Sequence, residues 1–264
     1  MKRICLWSLI IMIAAVFAAG CGGSKESPRQ AAQPVELYVS AAASMKDALL
    51  EIQKQYEAEN ANVKLIYNLA ASGTLQKQIE QGAPVDLFVS AAPAQMNALE
   101  KQNLIQKESR KNLLENQLVL IAPEGSKAAL TGYEDLTKDA VKKIAIGQPD
   151  VVPAGQYAKE ALTKMNLWDK LQDKFVQAKD VRAVLTYVDT GNVDAGIVYR
   201  TDAAVASKIK IIAAAPAGTH APIIYPAAVL ANAKQPKAAG DFLTYLSGPE
   251  GKAVFEKYGF VMAK

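Results

Sequence analysis

The stretch Val35-Glu36-Leu37-Tyr38-Val39-Ser40-Ala41-Ala42-Ala43-Ser44-Met45-Lys46-Asp47-Ala48-Leu49-Leu50-Glu51-Ile52 changes its period halfway along. As far as Ser40 it reads as a short apolar strand. From Ser44 to Glu59, Met45, Ala48, Leu49, Ile52 and Tyr56 recur at helical spacing. Three alanines join the two, and Ser44 with Asp47 three residues on reads as the N-cap of a capping box. A strand that enters a helix through small residues is the repeating unit of α/β architecture.

The unit recurs downstream of that stretch. Strands are predicted at 63–67, 85–90, 118–122, 143–146, 195–199 and 223–230. Helices are predicted at 74–81, 94–101, 155–165, 180–189, 236–246 and 250–258. Such alternation predicts an α/β fold with mainly parallel sheets flanked by helices. No repeat or low-complexity tract stands out beyond the N-terminal tether described next.

Upstream, Met1-Lys2-Arg3, an apolar run from Leu9 to Ala19 and Gly20-Cys21 have the layout of a secretory signal. The run is too short and wrongly flanked for a stable membrane span. Phe17-Ala18-Ala19-Gly20-Cys21 resembles a bacterial lipobox, with Ala18 where that pattern usually has Leu. It implies a signal peptide over 1–20, lipidation at Cys21 and a chain anchored on the outer face of the cell membrane. The competing reading is an ordinary signal with Cys21 incidental. Residues 21–34 shift to Gly, Ser, Lys, Glu, Pro, Gln and Ala and read as a flexible tether. Cys5 leaves with the signal and Cys21 would carry lipid, so no thiol remains for a disulfide, a metal or a nucleophile.

Lys2 and Arg3 also belong to the signal, which contains no acid. Of 30 basic residues, 28 then face 26 acidic ones, a net +2. So mild a balance, without a basic stripe, gives nucleic-acid binding no support. No cluster has metal-ligand spacing.

Five places put a small or neutral polar residue where a loop enters a helix or a strand ends. They are Ala41–Asp47 around Ser44, Ala70–Thr74 around Ser72, Val152–Gly155 around Ala154, Asp180-Val181-Arg182, and Gly196–Tyr199. Helix starts leave backbone N–H groups unpaired and carry partial positive charge, so several aimed at one point make an anion site. Ala42, Ala71, Gly73, Ala154 and Gly155 are small enough for close backbone approach, and Ser44, Ser72 and Tyr199 add hydroxyl donors. Each signal taken singly is weak; their strength is the ordered set.

In that order and spacing, these segments resemble the molybdate-binding proteins of bacterial ABC importers. So do Leu75-Gln76-Lys77-Gln78-Ile79-Glu80, Gly82-Ala83-Pro84-Val85-Asp86-Leu87-Phe88 and Gln156–Leu162. The resemblance runs from Val35 to Phe260. It implies a two-lobed type II periplasmic-binding-protein fold with the ligand in the cleft. Lobe I would comprise 35–117 and 226–264 and lobe II 118–225, joined by extended crossings near Leu118–Ala122 and Ile223–Leu230. It also implies oxyanion ligands: Ser44 and Ser72 through hydroxyl and backbone N–H, Ala154 and Val181 through N–H, and Tyr199 through its phenol. At Gly73, where some relatives have a third serine, a hydroxyl is not expected to be essential. The ligand would be molybdate or tungstate, with no cofactor. The partners would be a membrane permease and its ATPase, and the chain is expected to be a monomer.

An enzyme is the reading that this excludes. A nucleophilic Ser44 or Ser72 needs a base, and the only histidine, His220, lies in a Gly-Thr-His-Ala-Pro loop with no Gly-x-Ser-x-Gly elbow anywhere. Sulfate is the rival ligand, separable only by cavity size. Arg182 is expected to point to solvent, Trp168 to pack at a helix end, and Asp86 to enter a strand near the cleft.

Overall fold

The computed structural model describes residues 34–264. The signal segment 1–20, Cys21 and nearly all of the tether 21–34 lie outside the described residues. The chain begins with β1 (Val35–Ala42), α1 (Lys46–Glu59), β2 (Val63–Ala70), α2 (Ser72–Glu80), β3 (Leu87–Val89), α3 (Pro93–Lys101) and β4 (Lys111–Glu115). A second run holds β5 (Leu118–Pro123), β6 (Ile144–Gly147), α4 (Pro153–Lys164), β7 (Phe175–Ala178), α5 (Val181–Asp189), β8 (Ala195–Tyr199), α6 (Arg200–Ala204) and β9 (Ile209–Ala214). It closes with β10 (Ile224–Val229), α7 (Pro236–Ser247), α8 (Pro249–Lys257) and β11 (Val261–Met262).

Two sheets result, ordered β11-β4-β10-β3-β1-β2 and β7-β6-β8-β5-β9. The expectation of mainly parallel sheets holds only for β2-β1-β3 and β7-β6-β8, where helices return the chain. Elsewhere pairing is antiparallel, because β5 and β10 arrive from the opposite sheet and run against their neighbours. Both apolar stretches expected as crossings are instead fully paired strands. The chain passes between the sheets at Asn116–Gln117 and again between Ala214 and Ile224.

The predicted helical stripe of α1 is buried at Ala48, Leu49, Ile52 and Tyr56. The Tyr56 ring meets Phe242 and Tyr245 edge-on at 4.8 and 4.9 Å, so the late helix α7 packs on the first sheet's side. Trp168 stacks on Phe175 at 4.7 Å, the helix-end packing expected of it. β4, β7, β9, β11 and α6 carry no clear period. β4 buries only Leu113 and Leu114 between charged ends, and β9 is partly or fully exposed along its length. No described helix is long and apolar enough to cross a membrane.

Candidate functional site

A small cavity lies between the two sheets. Its lining comes from six segments: Ala42–Ser44, Ala70–Ser72, Ala91, Val152–Ala154, Asp180–Val181 and Tyr199. All five residues singled out in the sequence, Ser44, Ser72, Ala154, Val181 and Tyr199, are therefore brought to one place. Only about 10 Å³ of the cavity is open to the centre of a water molecule, far below the roughly 300–1,000 Å³ of sites for drug-sized ligands, so it has room for one compact group at most. No lysine or arginine lines it among the described residues. Nor does any described group of His, Cys, Asp and Glu have the makings of a metal site.

The local backbone explains the convergence. Ala154 and Val181 lie in the first turns of α4 and α5, and Ser72 is the first residue of α2. Ala71 and Val152, the N-caps of α2 and α4, make no side-chain cap hydrogen bond. First-turn N–H groups have no partner within their own helix, so they remain available to a ligand. Pro153 opens α4, where its missing N–H costs nothing. Asp180 is the one acid in the lining, and its carboxylate is committed to capping α5, accepting from Ala183 N at 2.8 Å.

Ser44 differs from its expected role. It is no N-cap and there is no capping box: it sits in a 3-10 turn, Ala43–Met45, ahead of α1. Three alanines let the strand run directly into that turn, and the Ser44 hydroxyl bonds the Tyr225 phenol at 2.9 Å instead. Ser72 Oγ accepts from Ala91 N at 2.9 Å. Tyr199 ends β8 with its hydroxyl 3.5 Å from the Ala91 carbonyl oxygen, a weak contact. Burial above all, with the neighbouring Tyr225 phenol next, pushes the Tyr199 hydroxyl far above its ordinary range, so it stays a proton donor.

The two glycines serve packing rather than ligand approach. Gly73 N–H donates to Val151 O at 2.9 Å across the two sheets' segments, and a Cβ at 73 would lie 2.6 Å from that oxygen. Gly155 presses against Gly147 at the end of β6. Asp86 is buried at the far end of β3, away from the cavity lining, accepting from Tyr38 N and Gln235 N at 2.9 Å each. The expectation that it lies near the cleft is corrected: it holds strand ends together. His220 is a loop residue as expected, its ring 5.7 Å from that of Tyr157.

Arg182 does not point to solvent. One helical step beyond Val181, its guanidinium turns away from the cavity to Asp47 of α1 at 2.9 Å, and its Nη1 lies 3.5 Å from Asp202. This pair ties the two halves together beside the site. Asp202 is fully buried, and neither oxygen has a well-aligned hydrogen bond among the described residues. Burial raises its carboxyl from 3.8 to about 7, while Arg182 pulls the other way. From about pH 4 to 7 the folded chain holds a proton that the unfolded chain has lost. This contribution to stability therefore falls as pH rises through that window and is level above it. Asp202→Asn should remove a slope of up to about 1 kcal/mol per pH unit. A melting series over that range checks it; an unchanged slope would show that Asp202 is ionised throughout.

Sequence reasoning missed Ala91, Tyr225 and the Asp47–Arg182–Asp202 group. Ala91 had a visible signal, since Ser90-Ala91-Ala92-Pro93 is one more small-residue helix start. The others act across long separations that no local pattern reveals.

Comparison with known proteins follows the same lines. A family model described as bacterial extracellular solute-binding protein matches residues 37–261. YvgL of Bacillus subtilis, described as a candidate ABC transporter substrate-binding lipoprotein, is 47% identical over 254 residues, 95% of this chain and 96% of that one. The molybdate-binding protein ModA of Haemophilus influenzae is 42% identical over 235 residues, 87% of this chain and 91% of its own. The solved periplasmic molybdate-binding protein of Azotobacter vinelandii superposes with a TM-score of 0.77 at 25% identity, over 86% of this chain and 100% of that one.

Proposed function

We propose that this chain, which belongs to the bacterial extracellular solute-binding protein family and is the substrate-binding protein of an ABC transporter rather than an enzyme, takes molybdate as its solute. The observation that carries the ligand is the cavity itself: helix starts and hydroxyls converge on it, and among the described residues no cation lines it. Ser44 and Ser72 would each give hydroxyl and N–H, Ala154 and Val181 an N–H, and Tyr199 its phenol, about seven donors. Hydrogen bonds to a charged group contribute roughly 1.5–3 kcal/mol each, so about seven supply on the order of 10–20 kcal/mol. Micromolar to nanomolar binding needs about 8–12 kcal/mol, and the remainder offsets ordering and closure. Neutral dipoles are sufficient for a dianion.

A donor-only site suits molybdate and tungstate, which are fully deprotonated near neutral pH, and disfavours phosphate, which keeps a proton. Lobe I (35–117 with 226–264) would close on lobe II (118–225) about the passages between the sheets, with the Asp47–Arg182 pair holding the closed form. The closed chain would then deliver its ion to a membrane permease and its ATPase, anchored meanwhile through lipidated Cys21. The lipobox-like segment and the likeness to YvgL support the anchor.

Calorimetric titration of the full chain with molybdate, tungstate, sulfate and phosphate tests the assignment. Tight binding of molybdate is expected, with tungstate close to it because the two ions are nearly isosteric. Heat from sulfate alone, or from none of the four, would reject it. Ser72→Ala should weaken molybdate binding by roughly 1–3 kcal/mol without unfolding the chain. Unchanged affinity in a folded variant would take Ser72 out of the site.

A further inference from the structure

Behind the cavity, the two serine hydroxyls are each held from the protein side. Ser72 Oγ accepts the Ala91 backbone N–H at 2.9 Å. Ser44 Oγ lies 2.9 Å from Tyr225 Oη, a contact in which either oxygen could donate. Its direction is constrained further back, where the chain first passes between the sheets. Gln117 N–H donates to Asn116 Oδ1 at 2.8 Å. A backbone N–H cannot accept, so this contact fixes which end of the Asn116 amide is oxygen. The other end, Nδ2, donates to Tyr225 Oη at 3.2 Å and to Thr201 Oγ1 at 2.9 Å.

Tyr225 is fully buried, and a buried hydroxyl proton without an acceptor is costly. Among the described residues the phenol is hydrogen-bonded only to Asn116 Nδ2, which donates, and to Ser44 Oγ, so Ser44 is the partner that can take its proton. Ser44 then receives from Tyr225 as Ser72 receives from Ala91. Among the described residues neither serine has another acceptor, so the proton of each is left for the cavity.

We propose that Gln117 N–H, Asn116 and Tyr225 form a one-way hydrogen-bond relay that fixes Ser44 as a donor toward the ligand, as Ala91 N–H fixes Ser72. Asn116 and Tyr225 are thus positioning residues that select oxyanions bearing no proton. An incoming O–H would have to reverse a chain that starts at a backbone amide, and that amide cannot turn. This inference rests on the oxyanion function proposed above and adds the source of its selectivity.

The test uses the full chain, Tyr225→Phe and Asn116→Asp, titrated with molybdate and with inorganic phosphate at mildly alkaline pH. Both anions are then divalent, and only phosphate carries a proton. Tyr225→Phe frees the Ser44 oxygen to accept. Asn116→Asp turns the amide donor into an acceptor, which draws the Tyr225 proton back and lets Ser44 donate to Tyr225 instead. Any charge penalty from the new carboxylate falls on both anions alike and cancels from their ratio. The relay predicts that each variant loses about tenfold or more in molybdate affinity, and that phosphate gains on molybdate by about tenfold. Parallel weakening of both anions, or loss of all binding in both variants, would overturn the relay and leave Tyr225 a packing residue. Failure of the unsubstituted chain to bind molybdate would instead overturn the function itself, and the relay with it.

Discussion

Val181→Pro should bind molybdate about 10- to 100-fold more weakly while the chain still folds. Val181 is the first residue of α5, a position where proline is well tolerated because its N–H is unpaired within the helix. The preceding Asp180 already has the extended backbone, φ −159° and ψ 171°, that a following proline favours. The substitution therefore deletes one backbone donor and little else. Val181→Ala, which trims the same buried side chain but keeps the N–H, is the control: it should lower the melting temperature slightly and leave affinity nearly unchanged. Titration and melting of both variants decide the matter. Equal affinity in the two would mean that the Val181 N–H does not touch the ion.

The second large effect is expected at Gly155. Helix propensity alone makes Gly→Ala within a helix favourable by about 1 kcal/mol. Here close packing wins with the opposite sign. A Cβ at 155 would lie 2.5 Å from the Gly147 carbonyl carbon and closer still to its oxygen, and backbone on that side cannot rotate out of the way. The start of α4 would have to lift from β6, carrying Ala154 with it. Gly155→Ala should thus cost about 1–3 kcal/mol of stability, and molybdate affinity should fall as well because a donor is displaced. A variant as stable as the parent would show that this approach is looser than described.

Much of this molecule was legible from local pattern. The strand-to-helix units around Ser44, Ser72 and Ala154 announced themselves through period changes and small residues, and the elements fall within a few residues of their expected places. Their convergence on one cavity came from the family resemblance, since nothing local to Asp180-Val181-Arg182 says where α5 points. Four kinds of feature escaped. Short or exposed strands such as β7 and β9 bury too little to leave a period. Ser44 looked like a cap because Asp47 stood at the right spacing, yet Asp47 serves Arg182, 135 positions along the chain. Tyr225 reaches Ser44 over a separation of 181 residues, which only the folded chain discloses. Glycine was read as making room for the ligand, whereas Gly73 and Gly155 make room for backbone of this chain.

The claim on which all this depends is that uncharged dipoles alone surround the ion, and a crystal structure grown with molybdate measures it directly. The expected result is one tetrahedral anion in the cavity, with Ser44, Ser72, Ala154, Val181 and Tyr199 each within about 2.7–3.2 Å of an oxygen. Arg182 should remain on Asp47, with no cationic nitrogen in contact with the ion. An anion seated elsewhere, or one neutralised by a lysine or arginine, would contradict the account.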